Sequence, residues 1–101
     1  MGEARIIRHV VVHGRVQGVG FRAFVEHHAT QRALQGWVRN RRDGTVEAVF
    51  AGPAKSVEGM IGACAVGPLS SRVDRIVQRE AAEAELSPAA SGEAFSCLPT
   101  A

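Results

Sequence analysis

The sequence predicts an α+β fold, an antiparallel sheet carrying two helices on one face in the order β-α-β-β-α-β. Three observations predict it. A run rich in valine and isoleucine is followed by a stretch with apolar residues at steps of three and four. The turn pair Asp43-Gly44 joins two short runs of strand character into a hairpin. A second helical stretch, bracketed by Gly-Pro pairs at 52–53 and 67–68, leads into another strand. At 101 residues, 46% hydrophobic and 22% charged, the chain has the size and balance of one globular domain over 1–101.

Arg5–Gly14 reads as a buried strand because β-branched residues dominate it. Phe21–Leu34 reads as a helix with Phe21, Phe24, Val25, Ala29 and Ala33 on its apolar face. Gly36–Asn40 and Thr45–Ala51 are the hairpin strands, the second alternating polar and apolar residues. Pro53 suits the first turn of a helix over Lys55–Ala65, where Gly59 and Gly62 each cost about 1 kcal/mol relative to alanine. Ser71–Glu80 is a strand whose apolar residues, Val73, Ile76 and Val77, step unevenly, as a bulge would require. Ala81–Gly92 reads as a loop, and Ala94–Leu98 is a candidate fifth strand at the sheet edge. The order α/β elements alternate in places both helices on one face. It also brings three points to one end of the sheet: the segment after strand 1, the end of the Gly36–Asn40 strand, and Gly67-Pro68.

The segment after strand 1 reads Val-His-Gly-Arg-Val-Gln-Gly-Val-Gly-Phe-Arg, residues 12–22. Glycines at 14, 18 and 20 let the backbone curl and turn its N–H groups inward. A helix start adds unclaimed N–H groups and the positive end of a dipole. Arg22 adds a planar, permanent positive charge suited to phosphate oxygens. Together they describe a site for a phosphate-sized anion. A nucleotide P-loop is excluded because no Lys-Ser or Lys-Thr follows the glycines. The dinucleotide pattern Gly18-x-Gly20-x-x-Ala23 is matched, but the Asp43 at the right distance sits in a hairpin turn and the chain is too short for a doubly wound sheet.

Charge is unevenly placed along the chain, which fits either an anionic partner near the glycine loop or ordinary solvated arginines. Residues 1–42 carry eight arginines against Glu3 and Glu26, a net of +6, while residues 43–101 carry a net of −4. Nothing in the spacing of Cys64 and Cys97 or of the four histidines forms a metal site, and two buried, reduced thiols are expected. Met-Gly-Glu-Ala-Arg at the start has no signal-peptide character and no run could span a bilayer, so a cytoplasmic protein is expected. Trp37 reads as a packing residue, and His13 as a strand residue rather than a catalyst.

Gly14–Arg22, taken with Gly-Trp-Val-Arg-Asn-Arg-Arg-Asp-Gly-Thr-Val-Glu over 36–47, resembles the acylphosphatase family. Two independent motifs agree in order and spacing, and the resemblance covers roughly residues 5–80. It implies a ferredoxin-like α/β sandwich and hydrolysis of acyl phosphates to a carboxylate and inorganic phosphate, with no metal and no cofactor. The family's catalytic arginine and asparagine fall on Arg22 and Asn40. The phosphate-binding loop falls on Arg15, Val16, Gln17, Gly18, Val19 and Gly20. The expected partner is a small-molecule acyl phosphate, with no nucleic acid or membrane and a monomeric protein. The C-terminal part departs from the family, which usually ends on a longer strand with an aromatic and a basic residue. Phe95 is expected in the core, Pro99 is expected to end ladder donation, and the 94–98 strand is expected to fray.

Two other functions fit the element order. One is a non-catalytic, anion-binding domain of the same family. The other is a nucleic-acid module, which would need base-stacking aromatics on the central strands. Strand 1 has none and strand 3 has only Phe50.

Overall fold

A computed structural model describes residues 4–88 and 95–101. The elements run β1 (Arg5–Arg15), α1 (Phe21–Gln31), β2 (Gln35–Asn40), β3 (Val46–Pro53), α2 (Ala54–Val66), β4 (Arg72–Glu80), a 3-10 helix (Glu83–Leu86) and β5 (Phe95–Cys97). One sheet holds all five strands in the order β4-β1-β3-β2-β5. The first four pair antiparallel, whereas β5 lies parallel to β2, so the sheet is mixed rather than purely antiparallel. Parallel pairing follows from position: the chain leaves β4 at the far end and must rise beside β2 in β2's own direction.

Alternation along the strands decides what faces the helices. Val10 and Val12 of β1, Val46, Ala48 and Phe50 of β3, and Val38 of β2 join Phe21, Val25, Ala29, Val57 and Met60 in one buried cluster. Helix α1 lies over β2 and β5, and α2 over β1, β3 and β4. Only the helix-facing residues of β1 are sealed; His9, Val11 and His13 on the outer face are half-buried. The buried strand expected there is therefore sealed only at Val10 and Val12, on its helix-facing side.

Helix α1 stops three residues short of the expected end. The N–H groups of Ala33 and Leu34 turn back to the carbonyls of Thr30 and Ala29, both at 3.0 Å. Ala33 has a positive φ of 54° and is exposed, so it belongs to the turn and not to the apolar face. Leu34, fully buried, enters the core instead. Pro53 ends β3 and caps α2 rather than sitting in its first turn.

The uneven apolar steps in β4 do mark a bulge. His13 pairs with Arg75 and Gly14 with Val73, so Asp74 is an extra residue. The insertion reverses the alternation, which lets Val73 and Ile76 both pack on the core while Val77 faces outward, half exposed. Gly14 makes this approach: it has φ 133°, and a Cβ there would overlap the Arg72 carbonyl oxygen.

The stretch expected as a loop after β4 contains the 3-10 helix Glu83–Leu86, and its remaining part, residues 89–92, lies outside the described residues, as does Ala94. Trp37 donates from Nε1 to the Glu85 carbonyl at 2.8 Å and is almost fully buried. Phe95 is buried and stacks at 5.7 Å on Phe50. Pro99 does not end main-chain pairing. Leu98 donates to Val38 at 2.8 Å, and past the proline Ala101 donates to Asn40 at 3.0 Å. Both cysteines are free; Cys64 is buried, and burial pushes its thiol up to about 12, while Cys97 is exposed, contrary to expectation. Among the described residues no helix is long and apolar enough to cross a membrane.

Candidate active site

The loop between β1 and α1 is built from anchors and bends. Val16 is fully buried and Val19 packs against the core, so apolar side chains hold the loop down at two points. Between and after them, Gly18 and Gly20 have φ of 73° and 78° with nothing near an added Cβ. Their requirement is conformational: L-residues pay for the left-handed region and glycine does not. Gly20 occupies the N-cap of α1, and its carbonyl receives the Phe24 N–H at 3.0 Å. No side chain caps α1 and no acidic residue lies in its first turn. The positive end of the helix is therefore left unneutralised.

The β2–β3 hairpin forms the opposite wall. Arg41 donates to Thr45 at 2.9 Å and Gly44 to Arg41 at 3.1 Å, closing its neck. Asp43 accepts from the Thr45 N–H at 3.0 Å and from its hydroxyl at 2.6 Å. Those two bonds hold the Asp43 carboxyl below its ordinary value.

Loop and hairpin are in contact. The Gln17 side-chain amide donates to the Arg41 carbonyl at 2.6 Å and to the Thr45 carbonyl at 2.9 Å. Arg22, in the first turn of α1 just after the loop, and Asn40, the last residue of β2 just before the hairpin turn, flank the two segments that this bond pair joins. Both are half-buried, and among the described residues neither side chain has a hydrogen bond or ion pair. Arg15 faces Arg72 across the β1–β4 ladder, and Arg41 and Arg42 follow Asn40 directly. The end of the sheet is accordingly basic.

Of the loop residues expected to bind phosphate, Val16, Val19 and Gln17 direct their side chains to the core or to the hairpin, which leaves backbone N–H groups as the loop's contribution. Reading along the chain missed that Gln17 contact, because it joins residues 24 and 28 positions apart.

Comparison with known proteins agrees with this geometry. The sequence profile described as Acylphosphatase matches residues 8–89. The chain belongs to the acylphosphatase family. A Bradyrhizobium diazoefficiens protein named Acylphosphatase is 54% identical over 97 residues, covering 96% of this chain and 98% of the relative. The crystal structure of acylphosphatase from Bacillus subtilis superposes with a TM-score of 0.79 at 37% identity, over 92% of this chain and 98% of that one. Full-length HypF in its phosphate- and nucleotide-bound form superposes with a TM-score of 0.83 at 28% identity, over 99% of this chain but only 13% of that protein. The acylphosphatase family consists of hydrolases of acyl phosphates, and the sheet with two helices is its ferredoxin-like fold.

Proposed function

We propose that this chain is a metal-independent acylphosphatase in which Arg22 and Asn40 carry the reaction. The observation that carries the reading is the pair of half-buried polar side chains, Arg22 and Asn40, without partners among the described residues, beside an uncapped helix start. Backbone N–H groups of residues 15–20 and the Arg22 guanidinium hold the phosphoryl oxygens. The Asn40 amide orients a water for in-line attack at phosphorus, and the same donors stabilise charge on the equatorial oxygens. A neutral amide is no strong base, so Asn40 aligns the water while a substrate oxygen takes its proton. The carboxylate leaving group is a weak base and needs little acid catalysis. That chemistry asks for no metal or cofactor.

The substrate is a small acyl phosphate gripped through its phosphate, and the protein acts as a cytoplasmic monomer. A nucleic-acid role is disfavoured by the outer face of the sheet. Phe50 points into the core and Trp37 lies beneath the 3-10 helix, so neither is open to a base.

Hydrolysis of benzoyl phosphate in EDTA tests the reading. The wild type turns over rapidly, and Asn40→Ala loses about 100-fold in kcat. A folded wild type without activity would instead favour an anion-binding domain.

A further inference from the structure

We infer that Gln17 is a positioning residue that sets the register between the phosphate loop and Asn40. The inference rests on the functional reading above and assigns Gln17 a part outside phosphate binding. Its side-chain nitrogen lies 2.6 Å from the Arg41 carbonyl oxygen and 2.9 Å from that of Thr45. Both partners are acceptors only, so the nitrogen, with its two protons, must be the end that faces them. Each carbonyl already receives one main-chain N–H, Gly44 on Arg41 and Arg41 on Thr45. Gln17 fills the second lone pair of each and so completes the neck of the hairpin.

Position gives this contact its consequence. Gln17 follows Val16, which is sealed in the core, and precedes Gly18, where the loop bends. Arg41 follows Asn40, one peptide unit or about 3.8 Å along the chain. A rigid link therefore runs from the loop that would hold phosphorus to the residue that would hold water. On the other side of the hairpin, the Ala101 N–H bonds to the Asn40 carbonyl and the Arg42 N–H to the Ala101 carbonyl, each at 3.0 Å. The hairpin is gripped from both edges, and only the Gln17 grip reaches the loop. The neck bonds make the role specific: while both Gln17 bonds persist, the Arg41 and Thr45 carbonyls are held to the loop, and Arg41 is joined directly to Asn40.

The test compares Gln17→Met, which keeps length but removes both donors, with Gln17→Lys, which restores a donor. Gln17→Met lowers kcat for benzoyl phosphate about 10- to 100-fold, while KM and the inhibition constant for inorganic phosphate stay within about threefold. Gln17→Lys recovers most of the loss. In an Asn40→Ala background, Gln17→Met costs less than about twofold, because the aligned group is already gone. A wild-type kcat in Gln17→Met overturns the inference. So does a loss carried by phosphate affinity, or a full effect in the Asn40→Ala background. A readout independent of turnover is the amide NMR spectrum on titration with inorganic phosphate. Residues 41–45 respond in the wild type and stop responding in Gln17→Met. Were the wild type inactive on acyl phosphates, that spectrum would still decide the coupling: an unchanged response in Gln17→Met sinks it, and a wild type whose hairpin ignores phosphate does the same.

Discussion

The loop end of the sheet and its outer face treat charge in opposite ways. On the outer face, His9 Nε2 lies 2.7 Å from Glu47 Oε2, and Arg39 Nε donates to Glu47 Oε1 at 2.8 Å. Arg39 also sits 4.7 Å over the Trp37 ring, and Arg79 forks onto Glu85 at 2.7 and 3.1 Å. Burial alone would raise the Glu47 carboxyl, but the bonds from His9 and Arg39 outweigh it and hold the group below its ordinary value. At the loop end, Arg22 and Asn40 are equally half-buried and have no such partners among the described residues. Paired charge on one surface contrasts with unpaired polar groups on the other; under the proposed function the first holds the fold and the second is kept for a ligand.

The sharpest way to break that contrast is Arg22→Ala. It should lower kcat/KM for benzoyl phosphate about 1,000-fold and change stability by no more than about 0.5 kcal/mol, read by steady-state kinetics and urea unfolding. A large stability loss would mean that Arg22 is structural after all. Glu47→Ala should do the reverse. It strips Arg39 and His9 of their acceptor and should cost about 3 kcal/mol in urea unfolding, with kcat of the folded enzyme unchanged. Removal of residues 99–101 lies between the two regions. It deletes the two bonds between Ala101 and the hairpin, so about 1–2 kcal/mol of stability and a several-fold fall in kcat are expected together.

The smallest effect concerns acid. Arg79 and the Ala82 N–H hold the Glu85 carboxyl down, to about 2. A depressed folded value means that the stabilisation is present above the ordinary carboxylate range and is lost as pH falls through that range toward 2. An NMR titration of the Glu85 carboxyl carbon should place its midpoint near that value; a midpoint in the ordinary range would detach the 3-10 helix from β4.

Features that arise within a few residues were legible in the sequence. The glycine bends, the hairpin turn, the start of α1 and the bulge in β4 each follow from local chemistry, and the resemblance pointed to Arg22 and Asn40. Features that need two distant segments were not. His9 and Glu47 meet only after β1 pairs with β3, and Gln17 finds its carbonyls only after the loop folds onto the hairpin. The 3-10 helix was hidden in a polar, small-residue stretch because Trp37, far away in sequence, gives it a place to dock. The proline rule at 99 was correct for one residue and silent about Ala101, which donates beyond it.

The bulge at Asp74 has a consequence for the company the molecule keeps. With β5 covering the side of β2, β4 is the strand that among the described residues has a long margin without a pairing strand. That margin carries charges of both signs, Arg72, Asp74, Arg75, Arg79 and Glu80, and at Asp74 the spacing of its main-chain groups breaks step. A foreign strand laid along it would meet charged side chains and lose register halfway, so the same extra residue that turns Val73 and Ile76 inward also works against fibre-like association.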